Sequence, residues 1–380
     1  MSELSTETEL FVATARAFLD KTAALSDQRD LHARGESYDE AWWRQAAELG
    51  WAGLLVPEQL GGGSVSGCGL RDLAAIATEI GRTVAPGPLY PISMVLAGLV
   101  DADNRQAHAH SIAALLCGEL VATWAADEPG RGFHPHQPAL AATATDGGYR
   151  LNGVKDRVEA GDRADLVLIG ARTDDGALRQ FLIRTDAPGV RVTPQPGIDL
   201  VKRFARIEFC DAAVDASAVV GTAAQAGALI ERQTQVGIAL VCAEVAGILD
   251  AVMTMTVDWA RDRYSFGRPL ASYQAIKHRL ADMTMWLHAC RAIADGAVDK
   301  VAARDADAAM WVGAAKSYLG EHAGRLIQEC VQLHGGIGVT WEHDLHLYLR
   351  RATLYRGLLG TPAEHHQAIF AAASSTEPAA

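Results

Sequence analysis

Residues 263–274, Arg-Tyr-Ser-Phe-Gly-Arg-Pro-Leu-Ala-Ser-Tyr-Gln, lie between two long helical patterns in the second half of the chain. A second stretch, Gln-Leu-His-Gly-Gly-Ile-Gly at 332–338, follows the next helical pattern. Together they offer an arginine, side-chain amides and glycines whose backbone N–H groups are open to approach. A nucleotide diphosphate binds to groups of these kinds. The alternative is a plain turn set by Pro269 between two helices, since short motifs give false positives.

The composition bounds the class of protein. A chain of 380 residues is long for a single core, so two or three packed units are expected. Its 49% hydrophobic and 21% charged residues are typical of a globular protein rather than a disordered one. The net charge of −12 argues against nucleic acid and anionic membranes as partners.

Cysteine usage and hydropathy predict the compartment. The six cysteines include no Cys-x-x-Cys pair, so neither a disulfide framework nor a thiolate metal site is expected. The first residues, Met1–Glu7, lack the apolar core of a signal peptide. No uninterrupted apolar run reaches the roughly 20 residues that span a bilayer. We therefore expect a soluble cytoplasmic protein without a membrane span.

The chain divides into three successive parts with different secondary-structure patterns. Residues 1–118 have helical spacing, and residues 119–221 contain short β-rich segments with a hairpin signal at Asp146–Gly148. Residues 222–380 carry four long helical patterns, at Ala223–Arg261, Ala271–Lys300, Ala308–Val331 and Glu342–Leu358. This order predicts a mainly α protein with an N-terminal helical domain, a small antiparallel barrel or sandwich, and a C-terminal four-helix bundle.

Several short motifs, spread along nearly the whole chain, resemble those of the acyl-CoA dehydrogenase family and occur in the same order. Val56-Pro57-Glu58 before two glycines is similar to its N-domain turn, and Asp127-Glu128-Pro129-Gly130 to its flavin loop. Leu151-Asn152-Gly153-Val154-Lys155 is similar to its Asn-Gly-x-Lys hairpin, and the stretches at 263–274 and 332–338 to its adenine-dinucleotide contacts. The resemblance implies a central antiparallel β-barrel, FAD as cofactor, and α,β-desaturation of an acyl-CoA thioester.

The resemblance also implies particular cofactor contacts. In that family one subunit holds the flavin ring, and its neighbour grips the diphosphate and adenosine. The cofactor-binding residues implied here are Arg263, Phe266, Gln274, Gln332, Gly335, Gly336 and Thr361. An arginine can pair bidentately with phosphate, and glycine lets backbone N–H groups come close. The alternative is that Arg263, Gln274 and Thr361 only cap helix ends.

The catalytic base of the family is missing from its usual positions. Most members place a glutamate before the Gly-Thr pair near the C-terminus, where this chain has Leu359. A second known location, on the first bundle helix, corresponds to Gly237. Neither residue can take a proton, so the resemblance predicts no catalytic residue in this chain. Glu244 and Glu231 are the alternatives for a displaced base, and hydrogen bonding within the bundle is the competing explanation.

The flavin-ring contacts are altered as well. The loop at Asp127–His134 lacks the Thr and Ser hydroxyls of the family, and Asp156-Arg157-Val158-Glu159 replaces an aromatic-Ile-Thr/Ser segment. A chain that keeps the nucleotide contacts but lacks the base resembles a subunit of the actinobacterial heteromeric (α2β2) acyl-CoA dehydrogenases. In those heterotetramers two related chains share one FAD, and some act on the CoA thioesters of steroids.

The resemblance therefore implies three kinds of partner: a homologous acyl-CoA dehydrogenase subunit, an acyl-CoA substrate and an electron-transfer acceptor. Two alternatives stay open, namely a self-sufficient homo-oligomeric enzyme with a relocated base, and a non-catalytic paralogue that binds acyl-CoA or FAD. No metal site is predicted, because His343, Asp344 and His346 are better explained as a helix start.

Overall fold

The computed structural model describes residues 6–375. Most of Met1–Glu7, where no signal peptide is predicted, therefore lies outside the described residues. The chain forms two compact units. One comprises the residues up to Asp30, residues 74–85 and those from Ile238 onward. The other comprises Leu31–Leu73 and Pro86–Gly237. The predicted domain boundaries at 118 and 221 both fall between secondary-structure elements.

The N-terminal part is helical, as predicted. Its helices are α1 (Thr6–Thr22), α2 (Leu25–Arg34), α3 (Glu40–Glu48), α4 (Gly69–Thr83), α5 (Leu89–Asp101) and α6 (Ala109–Leu116). Helix α3 begins where the Asp39 carboxylate accepts a hydrogen bond of 2.7 Å from the backbone N–H of Ala41, a typical N-cap. Trp43 on its buried face is part of the core.

The central part is a single sheet of eight strands. They are β1 (Ala122–Ala125), β2 (Ala141–Thr145), β3 (Gly148–Glu159), β4 (Leu166–Thr173), β5 (Leu178–Arg184), β6 (Val190–Gln195), β7 (Phe204–Asp215) and β8 (Val219–Val220). The order is β6-β7-β3-β2-β4-β5-β8, and β1 also pairs with β4. Leu151, Ile169, Phe181 and Phe209 belong to the buried cluster on this sheet.

The sheet is mixed, and the predicted antiparallel barrel is not confirmed. Strand β4 is parallel to β1, with Ala122 opposite Leu166, and parallel to β2. Within residues 6–375 the strand order is an open path ending at β6 and β8, with no closed barrel. The turn signal at Asp146–Gly147 did locate the β2–β3 hairpin correctly. Parallel strands are joined by long connections that leave no comparable local signal.

Up to residue 375, the C-terminal part contains five α-helices and a small hairpin. The helices are α7 (Ala223–Asp262), α8 (Gln274–Ala302), α9 (Ala308–His334), α10 (Leu345–Gly357) and α11 (Pro362–Ser375), and the hairpin strands are β9 (Tyr264–Ser265) and β10 (Arg268–Pro269). The first four helices were predicted. Helix α11 was not, because Pro362 was not recognised as a helix start, although proline is favoured in the first helical turn.

Helix α7 is the central apolar element of the bundle. By length and composition it could cross a membrane, but 89% of its most apolar window is buried inside the protein. The sequence has no uninterrupted apolar run of membrane-spanning length here, because Glu244 and Asp250 lie among the apolar residues of α7. An apolar helix of this kind is expected at the centre of a packed bundle.

Candidate cofactor site and base positions

The Arg-x-x-Phe-Gly motif forms a tight β-hairpin. Ser265 pairs with Arg268 across a two-residue turn made of Phe266 and Gly267, whose φ angles are 51° and 78°. Positive φ at both central residues is the type I′ pattern, which favours Asn-Gly rather than Phe-Gly. The Phe266 side chain is 97% exposed. A large apolar side chain is therefore held at an exposed tip in a backbone conformation that it disfavours.

Arg263 is joined to the glycine motif through two stacked rings. Its guanidinium lies 5.8 Å from the centroid of the Trp259 ring. Trp259 stacks on His334, with centroids 5.2 Å apart and planes at 18°. His334 directly precedes Gly335. Neither ring was predicted from the sequence, although Trp259 stands four residues before Arg263, a spacing that places the two side chains on one helix face.

Gln274 and Gln332 lie at one end of the α8–α9 pair. Gln274 is the first residue of α8, and Gln332 lies near the end of α9. Between them, Arg279 donates from Nε to Glu329 over 2.9 Å and ties the start of α8 to the end of α9. Both glutamine residues are exposed. The two exposed amide side chains thus lie at the end of the α8–α9 pair that the Arg279–Glu329 ion pair holds together.

The three glycines of the motif have different surroundings. A Cβ on Gly335 or Gly336 would meet nothing within 4 Å, whereas one on Gly338 would lie 2.8 Å from the Val331 carbonyl oxygen. Gly338 is therefore needed for packing, and the other two leave open space beside their backbone. An arginine, two amides and accessible N–H groups fit the diphosphate and adenosine of FAD.

Thr361 forms the N-cap of α11. Its backbone N–H and its hydroxyl both donate to Oε2 of Glu364, over 2.7 and 2.8 Å, and its Oγ1 accepts from the Glu364 N–H over 3.3 Å. This reciprocal arrangement is a capping box. Both donors that the resemblance assigns to the diphosphate are engaged locally.

Leu359 sits in a constrained turn just before this cap. Its φ is 59° and its side chain is 5% exposed, while the adjoining Gly360 has a φ of 95°. His365 Nε2 lies 2.8 Å from the Leu359 carbonyl oxygen, and the buried Lys316 donates to the Gly360 carbonyl over 2.8 Å. The turn is firmly held, but the residue it presents is apolar. Gly237, at the second base position, lies within α7.

Glu244 is fully buried and doubly bonded. Its Oε1 accepts from Arg351 over 2.5 Å and its Oε2 from the Tyr355 hydroxyl over 2.6 Å. Arg351 is also fully buried and donates to the carbonyls of Val84 and Ala85, over 3.2 and 3.4 Å. Both oxygens of this carboxylate are used within the protein.

Glu231 has a more accessible environment. His136 Nε2 lies 3.2 Å from its Oε2, Gln235 donates to its Oε1 over 2.9 Å, and the carboxylate side chain is 40% exposed. The His136 hydrogen bond outweighs burial and lowers the pKa of Glu231. A lowered pKa makes a carboxylate a weaker base.

The flavin-loop motif and the Asn-Gly-x-Lys motif are joined by a buried ion pair. Lys155 Nζ donates to Glu128 over 2.8 Å, and Glu128 also accepts from the backbone N–H groups of Ala139 and Leu140. Burial alone would raise the pKa of Glu128, but Lys155 and these hydrogen bonds lower it. This pair between the two motifs was not predicted from the sequence.

Charged side chains follow Lys155 along β3. Arg157 has a φ of 49° and lies 3.4 Å from Asp127 and 3.7 Å from Asp156. Glu159 is buried and accepts from Lys202 over 2.7 Å. The charged residues of the segment that replaces the aromatic-Ile-Thr/Ser sequence are therefore engaged in ion pairs.

The histidines after the glycine motif have structural contacts. Asp344 accepts from Arg29 over 2.7 Å, His343 Nδ1 accepts from the Leu345 N–H, and His346 stacks on Trp341. Among residues 6–375 no group of three His, Cys, Asp or Glu side chains could hold a metal ion.

Comparison with known proteins identifies the family. The profile of the acyl-CoA dehydrogenase N-terminal domain matches residues 5–115, and that of its C-terminal domain residues 224–373. The chain is 30% identical over 363 residues to the acyl-CoA dehydrogenase IpdE2 of Mycobacterium tuberculosis, covering 94% of each chain. It is 30% identical over 354 residues to the acyl-CoA dehydrogenase FadE27 of the same organism, covering 90% of each.

Two solved structures share both the fold and appreciable identity. The ChsE4–ChsE5 complex from Mycobacterium tuberculosis matches with a TM-score of 0.88 and 26% identity over 99% of each chain. The Tcur3481–Tcur3483 steroid ACAD matches with a TM-score of 0.87 and 25% identity, covering 98% of this chain and 100% of that one. The chain therefore belongs to the acyl-CoA dehydrogenase family, whose members are FAD-dependent oxidoreductases.

Proposed function

We propose that this chain is a subunit of an acyl-CoA dehydrogenase that desaturates an acyl-CoA thioester, and that it grips the nucleotide end of FAD without supplying the base. The observation that carries the proposal is an asymmetry. Arg263, Phe266 and Gly336 are exposed, whereas the two usual base positions hold Leu359 and Gly237. The chain therefore keeps the nucleotide contacts but has no proton acceptor at either of the two usual base positions.

The residues of this chain divide the work as follows. When bound, FAD supplies the hydride acceptor. Arg263 pairs with the diphosphate, Gln274 and Gln332 bond to ribose and phosphate oxygens, and Phe266 packs against the cofactor and the partner chain. Thr361 joins this set if its donors exchange Glu364 for phosphate.

The base comes from elsewhere. Removing the α-proton needs a carboxylate whose proton affinity suits the task. Glu244 is excluded from this role because Arg351 and Tyr355 occupy both its oxygens in the core. We therefore assign the base to the partner chain.

The partner is a homologous acyl-CoA dehydrogenase chain in an α2β2 heterotetramer. Similarity to a structure described as the ChsE4–ChsE5 complex supports the two-chain assembly, and similarity to one described as a steroid ACAD supports a steroid-CoA substrate. The assembly is cytoplasmic, has no membrane span, and passes its electrons to an electron-transfer acceptor.

Expression of the chain alone and together with a homologous chain tests this proposal. Flavin absorbance and its bleaching by acyl-CoA thioesters are measured for both preparations. We expect bleaching only in the two-chain assembly. Turnover by the chain alone would establish a self-sufficient enzyme, and Glu231→Gln would then test the more accessible of the two candidate bases. Absence of flavin from both preparations would indicate a non-catalytic paralogue.

A further inference from the structure

The Trp259–His334 stack lies directly beneath the proposed phosphate-binding arginine. Arg263 lies over the Trp259 ring at 5.8 Å, and the Trp259 ring lies nearly parallel to that of His334. His334 is 5% exposed, so its ring is a fixed part of the bundle rather than a mobile surface group. Trp259 thus contacts both Arg263 and His334.

Hydrogen bonding determines the tautomer of His334. Its Nδ1 lies 2.8 Å from the Cys330 carbonyl oxygen, which can only accept, so Nδ1 carries the proton. In the neutral ring Nε2 is then a lone-pair acceptor. This atom is buried and has no hydrogen-bond partner in the described part of the chain. A second proton on Nε2 would create a buried cation without a counter-ion.

The charged groups around His334 oppose that second proton. Arg263 directly follows the last residue of α7, and the segment after the glycine motif contributes His343, whose ring centroid is 4.8 Å from that of His334. Asp344, the carboxylate that follows His343 in the chain, is already paired with Arg29 of α2. Burial first and His343 second lower the pKa of His334, although the Cys330 carbonyl acts to raise it. The ring is therefore neutral at pH 7.

We propose that His334 is a positioning residue of the nucleotide site, whose neutral ring supports Trp259 and thereby directs the Arg263 guanidinium toward an anionic ligand. The inference rests on the proposed role of Arg263 in binding the FAD diphosphate. Protonation of His334 adds a second positive charge near Arg263 with no carboxylate to balance it, so the two cations repel each other and the guanidinium leaves its position over Trp259. The grip on FAD is consequently lost in acid.

The pH profile of FAD affinity tests this proposal. FAD is titrated into the FAD-free two-chain assembly from about pH 7 downward, through the range below the ordinary histidine pKa, as far as the assembly stays folded. Wild-type affinity falls, approaching about tenfold per pH unit below the pKa of His334 if only the neutral form binds. His334→Phe keeps a flat ring that cannot titrate, so it retains affinity at pH 7 and shows a flat profile. His334→Ala loses affinity at pH 7.

Matched variants separate the possible outcomes. His288→Phe, at an exposed site on α8, should follow the wild type at every pH. The proposal is overturned if the affinity of His334→Phe falls with pH as steeply as that of the wild type. It is also overturned if His334→Ala binds FAD with wild-type affinity while Arg263→Ala binds it weakly. If Arg263→Ala binds FAD normally, the role of Arg263 itself falls. Should the His334 variants misfold, Trp259→Leu must reproduce the loss at pH 7, and normal binding by it overturns the proposal.

Discussion

At the residue scale, burial decides what each carboxylate can do. Glu244 has 0% exposure and two short hydrogen bonds, whereas Glu231 is 40% exposed beside His136. A glycine at 81 lets α4 approach this part of α7 closely, because a Cβ there would lie 2.1 Å from the Glu244 carbonyl oxygen. The Glu244–Arg351 pair is thus enclosed on several sides and serves the fold.

Glu244→Gln should destabilise the protein rather than stop the chemistry alone. The substitution leaves Arg351 as a buried cation without its carboxylate, which costs about 3–5 kcal/mol of unfolding free energy. Urea denaturation measures this loss, and turnover per folded molecule in the assembly should stay near wild type. A fully stable but inactive variant would reinstate Glu244 as a base.

Gly336→Ala should weaken FAD binding without altering stability. A Cβ at this position meets no protein atom within 4 Å and would occupy space left to the cofactor. We expect about a tenfold loss of affinity, roughly 1.4 kcal/mol. Gly324→Ala, which also meets no neighbour but lies within α9, is the control and should bind FAD normally. Equal affinity of the two variants would remove the glycine motif from the site.

At the element scale, helices were predictable and tertiary pairings were not. The long apolar periodicities located α7, α8 and α9 within a few residues, because helix formation leaves a local pattern. The Lys155–Glu128 pair and the Trp259–His334 stack join distant segments, so no local pattern contains them. The motif around Arg263 was visible by spacing, but its hairpin was not, since Phe is unusual in a type I′ turn.

Phe266→Asn should separate hairpin stability from function. Asn tolerates positive φ better than Phe, and the 97% exposed ring has no packing to lose in this chain. The unfolding free energy of the isolated chain should rise by about 1 kcal/mol. Partner association and FAD retention, followed by gel filtration with flavin detection, should both weaken. Unchanged association would mean that the ring is not an interface anchor.

At the scale of the whole molecule, buried and half-buried histidines should make the protein acid-sensitive. Burial is the largest cause of a lowered pKa at His108, His334, His343, His346 and His365. Since the folded-state pKa lies below the unfolded value of 6.5, the unfolded chain binds more protons as the pH falls. The stability from these groups is complete above pH 6.5 and is lost below it. Urea midpoints should therefore decrease from about pH 7 to pH 5, and a constant midpoint would contradict this.

Native mass spectrometry of the chain, alone and co-expressed with a homologous acyl-CoA dehydrogenase chain, tests the division of labour most directly. We expect FAD to be retained only by the two-chain assembly, at one cofactor per pair of unlike chains. Arg263→Ala should release FAD from that assembly. A homo-oligomer carrying one FAD per chain and reduced by acyl-CoA would contradict the proposed role.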